Sequence, residues 1–267
     1  MIHIVNQTNR HLYGRQLWDL FVERRKSSIM RNGWDDLTVF DGAEVDDFDD
    51  ERAVYLMALE DDGRLLGAVR ARPTDDKCIL FDRYPRLIAP GQPSLAGPQT
   101  WEVVRVFTTD RFRESSMPGQ RGFFGLALAS REVALDAGAT RMVTIMDVRR
   151  LDQLPSVEIW ILGLPADCGY GAMVGATVAV SAANNARTLE GLAESVRISY
   201  EISDDDVTVF GSVRAAQNAV EAARWMSHDE AAESLKDPVR AIAEAAALFA
   251  RHDVMIDGVF QRQAGAC

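Results

Sequence analysis

Apolar residues along this chain follow two rhythms, one of period two and one near 3.6. Residues 53–59 read Ala-Val-Tyr-Leu-Met-Ala-Leu, residues 65–70 read Leu-Leu-Gly-Ala-Val-Arg, and Asp61-Asp62-Gly63 lies between them. Two short apolar runs around an acidic turn with glycine predict an antiparallel hairpin. Another strand is predicted over residues 101–108. A loop over 110–122 then leads into a helix at 123–137, stopped by Gly138, and a strand over 142–146. A strand, helix, strand unit after an antiparallel hairpin implies a mixed α/β sheet with at least one parallel pair.

The flanks read differently. Residues 9–31 place Leu12, Leu17, Leu20, Phe21, Ile29 and Met30 among charges, which predicts a helical N-terminal lobe with breaks near Gly14 and Ser27-Ser28. The weakly charged stretch 159–183 contains Pro165, Asp167 and several glycines, and reads as strand, turn and strand rather than as a lipid-facing span of about 20 residues. Beyond about residue 200 the chain becomes alanine-rich, with a capping-box form at Ser227-His228-Asp229-Glu230 and a cap with first-turn proline at Asp237-Pro238. Two expected segments follow: residues 1–200 as the α/β domain, and 201–267 as a helical extension that packs on the core or on a second subunit, leaving a homodimer open.

Composition narrows the function. The 267 residues are 47% hydrophobic, enough for a substantial core, and carry a formal net charge of -11, which argues against a nucleic-acid binder. An anionic ligand must meet a local basic patch, for which Arg111, Arg113, Arg121, Arg149 and Arg150 are candidates. Cys78, Cys168 and Cys267 have no metal-like spacing, and His3, His11, His228 and His252 are scattered, so no metal site is expected. The opening Met-Ile-His-Ile-Val-Asn has no basic head before an apolar run, so no secretory signal is read and a cytoplasmic protein without a membrane span is expected.

Candidate chemistry lies in acids and arginines of the first 110 residues. Glu44, Asp46, Asp47 and Asp49, with Asp50 and Glu51 behind them, form an acid run that alone describes a solvated loop. Arg70 ends a predicted strand and is followed by Arg72-Pro73-Thr74; a lone arginine there reads as a surface ion pair. Glu102 and Arg105 are three apart on a strand and face opposite sides unless a bulge intervenes. Trp34 anchors the lobe or offers its ring to a cation, while Phe107 and Thr144 suit a core and a strand without further duty.

Taken in order, Arg24, Trp34, the acid run from Glu44 to Asp49, the stretch from Gly67 to Thr74, and Trp101-Glu102-Val103-Val104-Arg105 resemble the acyl-homoserine-lactone synthases, the LuxI-type autoinducer synthases. The match is detailed over about residues 5–110 and looser to about 200. It implies a GNAT-like fold, a mixed and mostly antiparallel sheet flanked by helices, in which Gly125-Leu126-Ala127 is either a remnant of the glycine-rich turn near a pantetheine arm or a point where the helix packs closely on the sheet. It implies an acyltransferase of quorum sensing, in which the amine of S-adenosylmethionine attacks an acyl thioester and its carboxylate then closes the lactone with release of methylthioadenosine. Both are substrates, and no cofactor is implied.

The resemblance also assigns roles. Glu102 matches the favoured general base, Arg105 a residue that orients it or a nearby acid, Asp46 and Asp49 the acids of the active-site network, and Arg70 a buried structural or substrate-orienting arginine. Glu44 falls on a further family acid, whereas Asp47 is a surface candidate. Arg24 and Trp34 match residues that enclose S-adenosylmethionine, Phe107 borders the acyl channel, and Thr144 falls where a threonine accompanies 3-oxo acyl chains. Two departures stand out: Ser28 replaces the family's aromatic residue, and Ala71-Arg72 replace leucines, adding a charge that could meet a phosphate. The donor is acyl-carrier protein or acyl-coenzyme A. Rival readings are a GNAT-like N-acyltransferase acting on another amine and a catalytically silent ligand-binding homologue.

Overall fold

A computed structural model describes residues 1–31, 37–114, 119–153, 158–169, 171–189 and 197–200. Trp34 and the expected helical extension 201–267 lie outside the described residues. In chain order the elements are β1 (Ile2–Val5), α1 (Gly14–Arg25), which widens into a π-helical turn over Lys26–Arg31, β2 (Val39–Phe40), β3 (Ala43–Glu44), β4 (Val54–Leu59), β5 (Leu65–Pro73), α2 (Ile79–Arg83), β6 (Thr100–Thr108), α3 (Asp110–Glu114), α4 (Gly119–Asp136), β7 (Arg141–Asp147), β8 (Glu158–Ile161), β9 (Ala166–Asp167), β10 (Ala172–Ala179), α5 (Ala182–Leu189) and β11 (Arg197–Tyr200). They group into two compact units, the first built from Met1–Ile79, Ala96–Met142 and Val180–Leu189.

In the first unit β1, β4, β5 and β6 lie side by side, each antiparallel to its neighbour. The period-two pattern decides what each face carries. Leu56, Val69, Ala71, Trp101 and Val103 point to one face and pack with Leu126 and Ala134 of α4. Tyr55, Met57, Ala68 and Phe107 point to the other and pack with Leu17, Leu20 and Phe21 of α1. Gly63, with φ of 81°, makes the β4–β5 turn in the left-handed region that favours glycine. At Gly67 a Cβ would lie 2.7 Å from the Phe107 carbonyl oxygen, so only glycine lets β5 approach β6 this closely.

The second unit, described over Leu80–Leu95, 143–153, 158–169, 171–179 and β11, carries a mixed sheet. β10 pairs antiparallel with β8 and β9, while β11 runs parallel to β8. The strand, turn and strand read over 159–183 correspond to β8, β9 and β10. At Gly163 the chain presses on its neighbour: a Cβ there would meet the Leu87 oxygen at 2.6 Å and the Ala89 nitrogen at 2.7 Å, next to the Ala89 N–H to Leu162 carbonyl bond of 2.8 Å. The expected mixed, mostly antiparallel sheet flanked by helices is the architecture observed. One detail differs: Gly14 opens α1 instead of breaking it.

Candidate active site

The acid run is folded by its own side chains. The Phe48 amide donates to Asp46 Oδ1 at 2.9 Å, the Asp46 amide to Asp49 Oδ2 at 2.8 Å, and the Asp49 amide to the Asp46 carbonyl at 3.0 Å. Such Asx bonds turn the backbone tightly without a regular element. Phe48 is thereby buried, Asp46 and Asp49 are drawn inward, and Asp47 stays exposed.

Three arginines from three elements meet these acids. From the last turn of α1, Arg24 grips Asp49 with two bonds, Nη1 to Oδ1 at 2.9 Å and Nη2 to Oδ2 at 2.5 Å, and also donates to the Glu44 carbonyl at 2.7 Å. Its Nε pairs with the Glu44 carboxylate. On β5, Arg70 Nη1 reaches Asp46 Oδ1 at 2.5 Å and Asp49 Oδ1 at 2.8 Å. On β6, Arg105 Nη2 lies 3.0 Å from Asp46 Oδ2 and 3.2 Å from Glu44 Oε1. Tyr55, opposite Arg70 on β4, donates its hydroxyl to Asp49 Oδ1 at 2.9 Å. Glu44 meets its arginines as charge pairs that fall short of aligned hydrogen bonds.

The formal charges of Arg24, Arg70 and Arg105 cancel those of Glu44, Asp46 and Asp49. That balance is what lets the cluster stay out of water, because an unpaired buried charge is strongly unfavourable. Burial pulls the Asp49 pKa upward, but the bonds and charge of Arg24, with Arg70 behind it, outweigh this and hold the carboxyl well below the usual carboxylate range. Asp46 is likewise lowered, against burial, chiefly by Arg70. Burial, helped by the Asp49 charge, pushes Tyr55 well above the ordinary phenol range. Asp46 and Arg105 form the open edge of the cluster, with side chains 12% and 13% exposed.

A break in the β6 ladder brings Arg105 to this face. Arg70 pairs with Val104 but Ala68 with Phe107, so two steps on β5 oppose three on β6, and Arg105 takes φ of 59°. This is a β-bulge, and it re-phases the strand. Trp101, Val103 and Val106 join the α4 side, whereas Phe107 joins the α1 side. Glu102 lies opposite Arg72, fully buried, and accepts from the Cys78 thiol at 3.0 Å and the Ile79 amide at 3.1 Å.

Arg72, two residues after Arg70 on the same face, enters a second ionic group. It is fully buried, with Nη2 at 2.9 Å from Asp76 and 3.4 Å from Asp50, and Lys77 Nζ lies 2.8 Å from Asp50. The Phe48 ring sits between the two groups, 5.8 Å from the Arg70 guanidinium and 5.5 Å from that of Arg72. Sequence reading did not foresee Tyr55, Cys78 or this packing of Arg72. Thr144 belongs to the second unit and is half-buried on β7. Of the basic candidates, Arg111 pairs with Glu60 at 2.6 Å and Arg149 with Asp147 at 2.6 Å. No helix among the described residues is long and apolar enough to cross a membrane.

Comparison with known proteins places this geometry in a family. The family model described as Autoinducer synthase matches residues 8–163. The chain is 35% identical over 169 residues to the isovaleryl-homoserine lactone synthase of Bradyrhizobium diazoefficiens, spanning 62% of this chain and 74% of that protein. An acyl-homoserine-lactone synthase of Acinetobacter nosocomialis is 26% identical over 125 residues, 45% of this chain and 67% of that one. Among solved structures, the CoA-dependent acyl-homoserine lactone synthase BjaI, with SAM and isopentyl-CoA, superposes with a TM-score of 0.62 at 27% identity, covering 81% of this chain and 98% of that one. The synthase LasI shares the fold, with a TM-score of 0.60 at 19% identity over 75% of this chain and 98% of its own. The chain thus belongs to the autoinducer synthase family and is an acyl-homoserine-lactone synthase, an acyltransferase.

Proposed function

We propose that this chain transfers a short acyl group from a coenzyme A thioester to the amine of S-adenosylmethionine, closes the homoserine lactone and releases methylthioadenosine. The observation that carries the reading is the charge-balanced cluster of Arg24, Arg70 and Arg105 with Glu44, Asp46 and Asp49, beside a bulged strand that bears Glu102. A coenzyme A donor is favoured over acyl-carrier protein by the similarity to the isovaleryl-homoserine lactone synthase and to BjaI bound to isopentyl-CoA.

Glu102 takes the proton from the S-adenosylmethionine ammonium, directly or through a water. Asp46 and Asp49 are held low by arginine and are poor acceptors of that proton. Glu102 accepts its described bonds from a neutral thiol and a backbone amide. The freed amine attacks the thioester carbonyl, the carbon–sulfur bond breaks, and the donor sulfur leaves as a thiol, its thiolate taking up the second proton lost from the amine nitrogen. The substrate carboxylate then attacks its own γ-carbon, the bond to the sulfonium sulfur breaks, and methylthioadenosine departs. Arg24 and Trp34 enclose S-adenosylmethionine, Arg70 and Arg105 hold the acids that face its ammonium, and Phe107 and Thr144 serve the acyl side. The segment 201–267 supports stability or association into a homodimer and supplies no reacting atom.

The test is turnover of purified protein with S-adenosylmethionine and isovaleryl-coenzyme A or the matching acyl-carrier protein, read as methylthioadenosine and lactone by mass spectrometry. Lactone from the coenzyme A thioester is the expected result. Lactone from acyl-carrier protein alone overturns the donor assignment, and amide formation on another amine without methylthioadenosine overturns the reaction.

A further inference from the structure

Glu102 is held by a device that the arginine cluster does not include. Its two carboxylate oxygens are taken by consecutive residues of one turn: the Cys78 thiol donates to Oε1 at 3.0 Å, and the Ile79 N–H donates to Oε2 at 3.1 Å. Both residues are buried, with Cys78 1% and Glu102 0% exposed. The thiol restrains one oxygen and the amide the other against rotation about the terminal bond of the side chain. Two donors on different oxygens fix the plane of the group.

The turn that carries these donors is itself tied down. Thr74, just past β5, accepts the Gly97 amide at 3.0 Å and donates to the Thr100 carbonyl at 3.0 Å, which joins it to the first residue of β6. Two residues later Asp76 is gripped by Arg72 at 2.9 Å. Cys78 therefore meets Glu102 across a short rigid link to the same strand. A thiol is a weak, neutral donor. It can orient a carboxylate without placing a charge against it.

We propose that Cys78 is a positioning residue for the reaction: with the Ile79 amide, its thiol sets the plane in which Glu102 accepts the substrate proton. The proposal rests on the reading of Glu102 as the general base. Cys78 touches no substrate and acts only through Glu102.

The experiment is a double-mutant cycle on the full chain, with methylthioadenosine release measured at saturating and limiting substrates. Cys78→Ala removes the donor, Cys78→Val removes it while filling the space, and Cys78→Ser keeps a donor. The expected result is a drop in kcat of about tenfold to a hundredfold for Cys78→Ala and Cys78→Val. KM for both substrates should stay within about twofold, and Cys78→Ser should recover most of the rate. In a Glu102→Gln background the Cys78 changes should do nothing further. Equal losses from Cys78→Ala in both backgrounds, or a shared loss in Cys78→Ser, overturn the proposal, as does a wild-type kcat for Cys78→Ala while Glu102→Gln is inactive. An active Glu102→Gln instead overturns the base assignment and is distinguishable from both.

Discussion

Replacing Asp49 by asparagine isolates what the buried cluster contributes to stability. Asp49 accepts five bonds: Arg24 at 2.9 and 2.5 Å, Arg70 at 2.8 Å, the Tyr55 hydroxyl at 2.9 Å and the Asp46 amide at 2.8 Å. Asparagine keeps one acceptor oxygen and turns an NH2 group toward guanidinium donors, leaving one positive charge uncompensated among side chains that are 1% exposed. Breaking a buried pair from one side destabilises by about 3–5 kcal/mol, a large share of a stability of about 5–15 kcal/mol. An internal control is Asp19→Asn at the exposed Arg15–Asp19 pair of 3.8 Å. That change should fall within about 0.5 kcal/mol. Urea unfolding at pH 7 reads both. The folded-state pKa of Asp49 lies below its unfolded value, so its contribution is complete above the unfolded pKa of about 4 and fades as the pH falls toward the lower folded one. Wild type should therefore lose stability on acidification below about pH 4, and Asp49→Asn should show a flatter acid limb. A loss no larger than that of Asp19→Asn, with the acid limb unchanged, would refute the picture of a buried charge-paired cluster.

Glu102→Gln should keep the fold and bind S-adenosylmethionine yet lose about 10²–10⁴-fold in turnover, since an amide accepts no ammonium proton; calorimetric binding plus methylthioadenosine release checks both halves. Asp46→Asn should sharply reduce activity at a matched folded fraction, whereas Asp47→Asn, on an exposed residue, should be nearly neutral. Equal losses at the two positions in the same assay would mean that the loop acts through bulk charge. Gly163→Ala should lower the melting temperature, because its Cβ would meet three backbone atoms of residues 87–89 within 2.8 Å, and relieving such overlap costs about 1–3 kcal/mol.

Much of the fold was legible because the strands of the first unit alternate cleanly. The β4–β5 hairpin, β6, α4 with its stop at Gly138, and β7 fall within a few residues of the patterns that predict them. β1 was missed, since four residues with no turn signal before them carry too little periodicity. The acids and arginines of the cluster came from the order of motifs, not from periodicity, which on its own read the acid run as solvated loop. What turned that loop inward is a set of backbone-to-carboxylate bonds among Asp46, Phe48 and Asp49, local geometry that composition does not encode. The bulge at Arg105 was named as a condition for Glu102 and Arg105 to share a face, but no glycine marks it; an arginine accepts the left-handed φ there, within bonding distance of Asp46. Cys78 escaped notice because its partner Glu102 is distant in sequence, and Tyr55, only six residues from Asp49, because it reads as an ordinary apolar position of a strand.

The two arginines on one face of β5 also act as an alignment key for assembly of the sheet. Sliding β5 by a single residue against β6 would exchange its faces, turning Arg70 and Arg72 toward Leu126 and Ala134 of α4 and leaving Val69 and Ala71 among the acids. Each guanidinium stranded in that apolar layer would be unfavourable by several kcal/mol, far more than the mismatch of a misplaced valine. The electrostatics gathered for chemistry therefore also discriminates against the most accessible wrong pairing, so a neutral replacement at both arginines would be expected to blur strand registration as well as abolish turnover.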